Sequence, residues 1–87
     1  MRILFFTGLT CHACNQLKPV LAGVADELSI PVEYYYREND PDNSFGRYSV
    51  MYIPTVIVLK NGIPYWSHTG TMSRTECIRR LSQLKEQ

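Results

Sequence analysis

No stretch of this 87-residue sequence stays apolar for the roughly 18 residues a membrane helix needs, which excludes a membrane span. Charge of one sign is missing too: nine Lys and Arg stand against eight Asp and Glu, a formal net charge of +1. A nucleic-acid partner normally demands a clustered basic face, and this balance argues against one. The chain is too short for two cores, because each half would bury too little apolar surface, so one domain over residues 1–87 is expected. There is no internal repeat, no low-complexity segment and no linker. Cysteine is scarce and odd in number, three in all, which does not suit a disulfide framework. What is present is ordinary globular composition, 45% hydrophobic and 20% charged, unlike that of a disordered tail.

Met1 to Phe6 has one positive charge and a short apolar run, faintly like a secretion signal. The run ends at Thr7-Gly8, short of the ~7–15-residue hydrophobic region and cleavage site such a signal requires. These residues read instead as a buried first strand. The expectation is that the mature chain begins here and stays in the cytoplasm.

Along the chain, Arg2–Thr7 (RILFFT) is almost wholly apolar and rich in strand formers, so it reads as a central strand buried on both faces. From Cys11 to Leu28 the period changes. Leu17, Leu21, Val24 and Leu28 recur at helical spacing, and Pro19 inside the helix removes a hydrogen bond and should kink it. Val32–Tyr36 (VEYYY) is a second strand by its β-branched and aromatic content. The turn-rich run Glu38 to Asn43 can cap a short helix at Asn43–Tyr48. Thr55–Leu59 (TVIVL) looks like another central strand. Asn61-Gly62 is a hairpin signal that returns Ile63–His68 antiparallel, and Pro64 favours an edge position for it. Ser73 and Glu76 form a capping box before a last helix that turns Cys77, Ile78, Leu81 and Leu84 inward. The expected order is β-α-β-α-β-β-α, one α/β unit with a central four-stranded mixed sheet flanked by helices.

The chemistry concentrates in Cys11-His12-Ala13-Cys14. Two cysteines three positions apart at a helix start lie close enough to close a disulfide. Cys11, at the helix N-terminus, meets unpaired N–H groups and the positive end of the helix dipole, which favour a thiolate below its free pKa of ~8.5. Cys14 lies deeper. That asymmetry makes Cys11 the attacking thiolate and Cys14 the resolving thiol. His12 between them, if protonated, would stabilise the thiolate further. The competing reading is half of a zinc or iron–sulfur site, which needs four ligands. Only Cys77, His12 and His68 remain as candidates, and Cys77 sits on the apolar side of its helix, so no metal is expected.

At this point the chain resembles the thioredoxin family over nearly its whole length. The resemblance rests on an ordered set: the C-x-x-C opening a helix, Pro19 five residues after Cys14, Ile53-Pro54-Thr55 before a strand, Lys60-Asn61-Gly62 at the hairpin, and Gly70 before the last helix. It implies the trimmed thioredoxin fold shared with glutaredoxins and small glutaredoxin-like thioredoxins. It further implies a cis peptide bond at Pro54, packed against the C-x-x-C, with Ile53 offering backbone groups to a substrate strand. Thr10, Ile53, Pro54, Thr69 and Gly70 would then rim a shallow substrate groove.

The sequence departs from that family in three places. Thr10 stands where thioredoxins typically have tryptophan, His12-Ala13 stands for Gly-Pro, and Phe5 takes the position of a buried aspartate. Without that aspartate, water or a nearby group such as Glu33 must serve as base for Cys14, or resolution slows.

The resemblance implies a monomeric thiol–disulfide oxidoreductase that reduces or exchanges protein disulfides and needs no organic cofactor. Its electrons would come from a thioredoxin reductase-like donor or from glutathione. A glutathione-dependent glutaredoxin-like enzyme ranks second, since the Val-Pro and Gly-Gly glutathione signatures of that group are not evident. A binding module with an idle disulfide is the rival from another class. The remaining residues have ordinary readings. Tyr34 to Tyr36 alternate between core and surface, Trp66 and His68 are strand residues, and Asp40 and Asp42 serve turns and caps. Arg79-Arg80 with Lys85 is a solvated helix face, and Cys77 is core rather than a regulatory thiol.

Overall fold

A computed structural model describes every residue from Met1 to Gln87. Four strands, β1 (Arg2–Thr7), β2 (Val32–Tyr36), β3 (Thr55–Lys60) and β4 (Ile63–Thr69), form one sheet in the order β2-β1-β3-β4. Helices α1 (His12–Glu27), α2 (Ser44–Arg47) and α3 (Arg74–Glu86) flank it. β1 runs parallel to β2 and antiparallel to β3, and β4 is antiparallel to β3, so the sheet is mixed. Parallel β1 and β2 need a crossover, and α1 provides it.

β1 and β3 occupy the middle, and their apolar runs are buried on both faces, as continuous hydrophobic strands require. Ile3, Phe5, Val56 and Val58 point to one face, where α1 (Leu17, Leu21, Val24) and α3 (Cys77, Leu81, Leu84) close over them. Leu4, Phe6, Ile57 and Leu59 point to the other face, roofed by Phe45, Tyr48 and Val50 around the short α2.

The local signals mostly act as written. Asn61 and Gly62 both take positive φ, 55° and 76°, which gives the two-residue turn a twist that matches the strands it joins. Pro64 lies on edge strand β4, and the ladder slips between Val58 and Leu59 opposite it. α1 ends with Ser29 at φ 56°, where Ser29 N–H bonds the Asp26 carbonyl and Ile30 N–H the Ala25 carbonyl, so buried Ile30 seals the helix end.

Three expectations are corrected. The capping box is half formed: Ser73 Oγ accepts the Glu76 N–H at 3.1 Å, but the exposed Glu76 carboxylate makes no return bond. α2 is shorter than Asn43–Tyr48, and Asn43 at its N-cap makes no side-chain cap bond. Asp40, within the run expected to cap the helix, supplies the cap as read from the sequence, accepting Ser44 N–H at 2.9 Å and Phe45 N–H at 3.0 Å. Strand β4 continues one residue beyond the expected His68 and ends at Thr69.

Candidate active site

β1 ends at Thr7, and the buried Gly8 followed by exposed Leu9 and Thr10 carries the chain to the mouth of α1. Cys11 is the N-cap of that helix, in extended conformation, and its Sγ accepts the Cys14 backbone N–H at 3.2 Å. A sulfur thus occupies the place where Ser or Asp usually satisfies an orphan donor. The first turn of α1 contains no acidic residue, so Cys11 Sγ has no competing anion at the positive end of the helix. Cys11 and Cys14 are joined as a disulfide, with Cα atoms 5.2 Å apart. Their exposure differs: Cys14 is fully buried, while Cys11 is half-buried and reachable. His12 is exposed and makes no hydrogen bond within the chain.

The loop before β3 approaches the cysteine loop, with Ile53 against Gly8. The Ile53–Pro54 peptide is cis, and Pro54 is buried. The Pro54 carbonyl accepts Gly70 N–H at 2.9 Å, which ties the loop to the end of β4. Thr55 Oγ1 donates to the Tyr52 carbonyl at 2.7 Å, so its 3.1 Å contact with Thr69 Oγ1 leaves Thr69 as the donor. Pro54, Thr55, Thr69 and Gly70 are therefore one hydrogen-bonded unit, with Ile53 joined to it through the cis peptide. Its link to the cysteine loop is Gly8: a Cβ there would come within 2.7 Å of Ile53 Cδ1, so Ile53 can lie on the cysteine loop only if residue 8 lacks a side chain. Thr10 stands exposed one residue before Cys11 and makes no hydrogen bond to this unit.

Glu33 does not reach Cys14. It pairs with Leu4 in the β1–β2 register and so projects from the face opposite α1, where it accepts the Tyr35 hydroxyl at 2.7 Å and meets Arg2 at 3.3 Å. That hydrogen bond, with burial second, raises the Tyr35 pKa above its usual 10.0. Phe5, on the α1 side, is wholly buried among apolar neighbours. Neither residue offers Cys14 a base.

Several contributors carried no sequence signal. Glu38 Oε1 accepts the Leu9 N–H at 3.1 Å and so pins the loop that presents Cys11. Lys18, one turn beyond Cys14, donates to Tyr36 Oη at 2.8 Å and lies over the Tyr34 and Tyr36 rings; the hydrogen bond raises its pKa and keeps it cationic. No three His, Cys, Asp or Glu side chains gather into a metal-binding group. Cys77, the third thiol, is buried under α3 among Ile3, Leu17 and Leu81.

A four-stranded mixed sheet with a cysteine pair at a helix mouth and a cis-proline before β3 defines the class of thioredoxin-fold proteins. The chain belongs to the thioredoxin family, whose thioredoxin domain model matches residues 1–83. It is similar to the chloroplastic thioredoxin Y of rice (Oryza sativa subsp. japonica), 24% identical over 82 residues. That match covers 93% of this chain and spans about half, 49%, of the rice protein. Thioredoxin 1 of the thermophilic eubacterium Thermosipho africanus superimposes with a TM-score of 0.87 at 23% identity, over 99% of this chain and 96% of that one. The thioredoxin of Trypanosoma brucei brucei gives 0.85 at 16% identity, over 99% of this chain and 75% of the other. These likenesses establish the fold. No helix of the chain is long and apolar enough to cross a membrane.

Proposed function

We propose that this chain is a thiol–disulfide oxidoreductase that reduces or exchanges protein disulfides, with Cys11 as nucleophile and Cys14 as resolving thiol. Family membership and the paired cysteines support the reaction class. The observation that carries the assignment of roles is the Cys14 N–H bond to Cys11 Sγ, between one reachable and one buried sulfur. The same N–H that meets the oxidised sulfur stabilises a thiolate after reduction, and the dipole of α1 adds to it.

In the proposed cycle the Cys11 thiolate attacks one sulfur of a substrate disulfide, forming a mixed disulfide and expelling a substrate thiolate. With apolar Phe5 below and Glu33 on the opposite face, that expelled thiolate is the base at hand, and it takes the Cys14 proton. The Cys14 thiolate then attacks Cys11 Sγ, closes the Cys11–Cys14 disulfide and releases the second substrate thiolate. Two electrons pass from the pair to the substrate. A thioredoxin reductase-like dithiol, or two molecules of glutathione that leave as glutathione disulfide, returns them. No organic cofactor enters the cycle. The unit joining Ile53, Pro54, Thr69 and Gly70, with Thr10 opposite, would hold the substrate strand. The proposed setting is the cytoplasm, where the compartment keeps such pairs cycling.

One series tests the reading. Cys11→Ser should abolish reduction of insulin-type disulfides, and Cys14→Ser should retain attack and accumulate a mixed disulfide visible by mass spectrometry. His12→Gly should lower the reduction potential of the couple, and an unchanged potential removes His12 from the chemistry. Turnover that persists in Cys11→Ser overturns the whole assignment.

A further inference from the structure

Beside the site, and not used by the chemistry above, lies a cleft of about 450 Å3 lined by Arg37, Asp40, Phe45 and the run from Val50 to Ile53. It shares Ile53 with the substrate-facing unit. Its apolar rim stands in solvent: Met51 is 82% and Tyr52 72% exposed. Its two charged groups are unequal. Both Asp40 carboxylate oxygens are taken by the N–H groups that open α2. Arg37, by contrast, makes no side-chain hydrogen bond within the chain. Its nearest acidic group is Glu38, at 3.9 Å, and the other oxygen of that carboxylate holds Leu9 N–H. The guanidinium nevertheless lies at the cysteine loop, its Nη2 3.5 Å from where a Cβ on Gly8 would be.

The planar guanidinium has five donors, none hydrogen-bonded within the chain and only one near an acidic oxygen, that of Glu38 at 3.9 Å. Beside a cleft whose own carboxylate is already satisfied, it is matched by a carboxylate from outside. We infer that Arg37 selects disulfide-bearing protein segments that place an acidic side chain in this cleft. The inference rests on the redox reading above and adds its substrate preference. The apolar rim of Met51 and Tyr52 takes the neighbouring side chains of the segment, and Arg37 fixes which segments are favoured. Because the guanidinium is more than half exposed, the selection is modest and weakens with salt.

The test uses the full chain and a family of disulfide peptides in which a single Glu is walked along the residues flanking the half-cystine, with Gln and Lys counterparts. Hydroxyethyl disulfide and glutathione disulfide serve as controls. The wild type should turn over the best-placed Glu peptide about fivefold faster in kcat/KM than its Gln counterpart, a gap that closes in high salt. Arg37→Gln should abolish that gap and Arg37→Glu should reverse it in favour of Lys, both with unchanged turnover of hydroxyethyl disulfide. Turnover of every disulfide without an Arg37-dependent charge preference overturns this inference alone. A chain inert towards all of them overturns the redox reading and this inference with it. An Arg37 effect confined to glutathione disulfide means that the cleft holds the free tripeptide, and the protein-segment proposal fails.

Discussion

The two faces of the sheet are built to different depths. On the α1–α3 face a cluster of twelve buried residues joins β1 and β3 to two long helices. On the α2 face only Leu4, Phe6, Ile57 and Leu59 are buried in a cluster, under a four-residue helix and a loop. Phe6 holds that roof largely by ring contacts, with Tyr35 stacked at 5.1 Å and Phe45 edge-on at 5.0 Å. The thick face anchors α1 and therefore fixes where Cys11 points. The thin face ends in the loop from Val50 to Ile53, where Val50 and Ile53 pack inward, Met51 and Tyr52 are left in solvent, and Ile53 lies against Gly8 of the cysteine loop. Packing that stabilises the fold and surface that can meet a partner are thus divided between opposite faces of one sheet.

Equal truncations give the difference its largest test. Leu81 and Leu59 are each 1% exposed, one under the thick face and one under the thin. Leu→Ala at such sites costs about 2–5 kcal/mol, the cost rising with the volume of cavity that fails to collapse. Leu81, held between α3 and the sheet, should fall near the upper end. Leu59, which borders an open cleft with Met1, Arg2 and Pro31, should fall near the lower end. Urea unfolding measures both, and equal losses would erase the distinction.

The next effect sharpens the thin face alone. α2 begins without a side-chain bond from its N-cap, and Asp40 supplies both acceptors. Asp40→Ala should cost about 0.5–2 kcal/mol, the range for losing a helix cap. It should also speed amide exchange from Ser44 to Tyr48 while leaving α1 and α3 unchanged. If α3 loosens as well, the two faces unfold as one unit and the roof has no stability of its own.

Most of the architecture was legible because it is local. The apolar runs of β1 and β3, the helical spacing of α1, and Asn61-Gly62 each carry their own instruction within a few residues. The cysteine pair is legible for the same reason, since spacing and helix position both lie inside Gly8 to Cys14. The surroundings of the pair were not legible, because they are assembled by register and tertiary approach. Glu33 has the right chemistry to serve Cys14, but strand parity puts it with Leu4 on the far face, and the parallel register that decides this is not written in β2. Glu38 meets Leu9 N–H across 29 residues, and Ile53 meets Gly8 across 45, as 53 − 8, with no pattern in between. Ser73 and Glu76 fit a capping box, yet an exposed carboxylate gains nearly as much from water and its half of the motif stays open.

The smallest effect belongs to the thick face and appears only in alkali. Burial pushes the Cys77 thiol above its ordinary value, and the Arg74 charge pulls back more weakly. A thiol whose folded pKa exceeds its unfolded one contributes stability that is intact below the unfolded pKa and is lost as pH rises through the folded one. With Cys11 and Cys14 held as the disulfide, only Cys77 titrates as a thiol. Stability measured by urea from about pH 8 to about pH 10.5 should therefore decline more steeply in the native chain than in Cys77→Ala. Lys18 and Tyr35, whose pKa values are also raised, contribute a decline common to both chains, so the difference between the curves isolates Cys77. Parallel curves would mean that the Cys77 thiolate is as well solvated in the folded chain as in the unfolded one. In that case the interior between α3 and the sheet is not dry, and the contrast between the faces loses its physical basis.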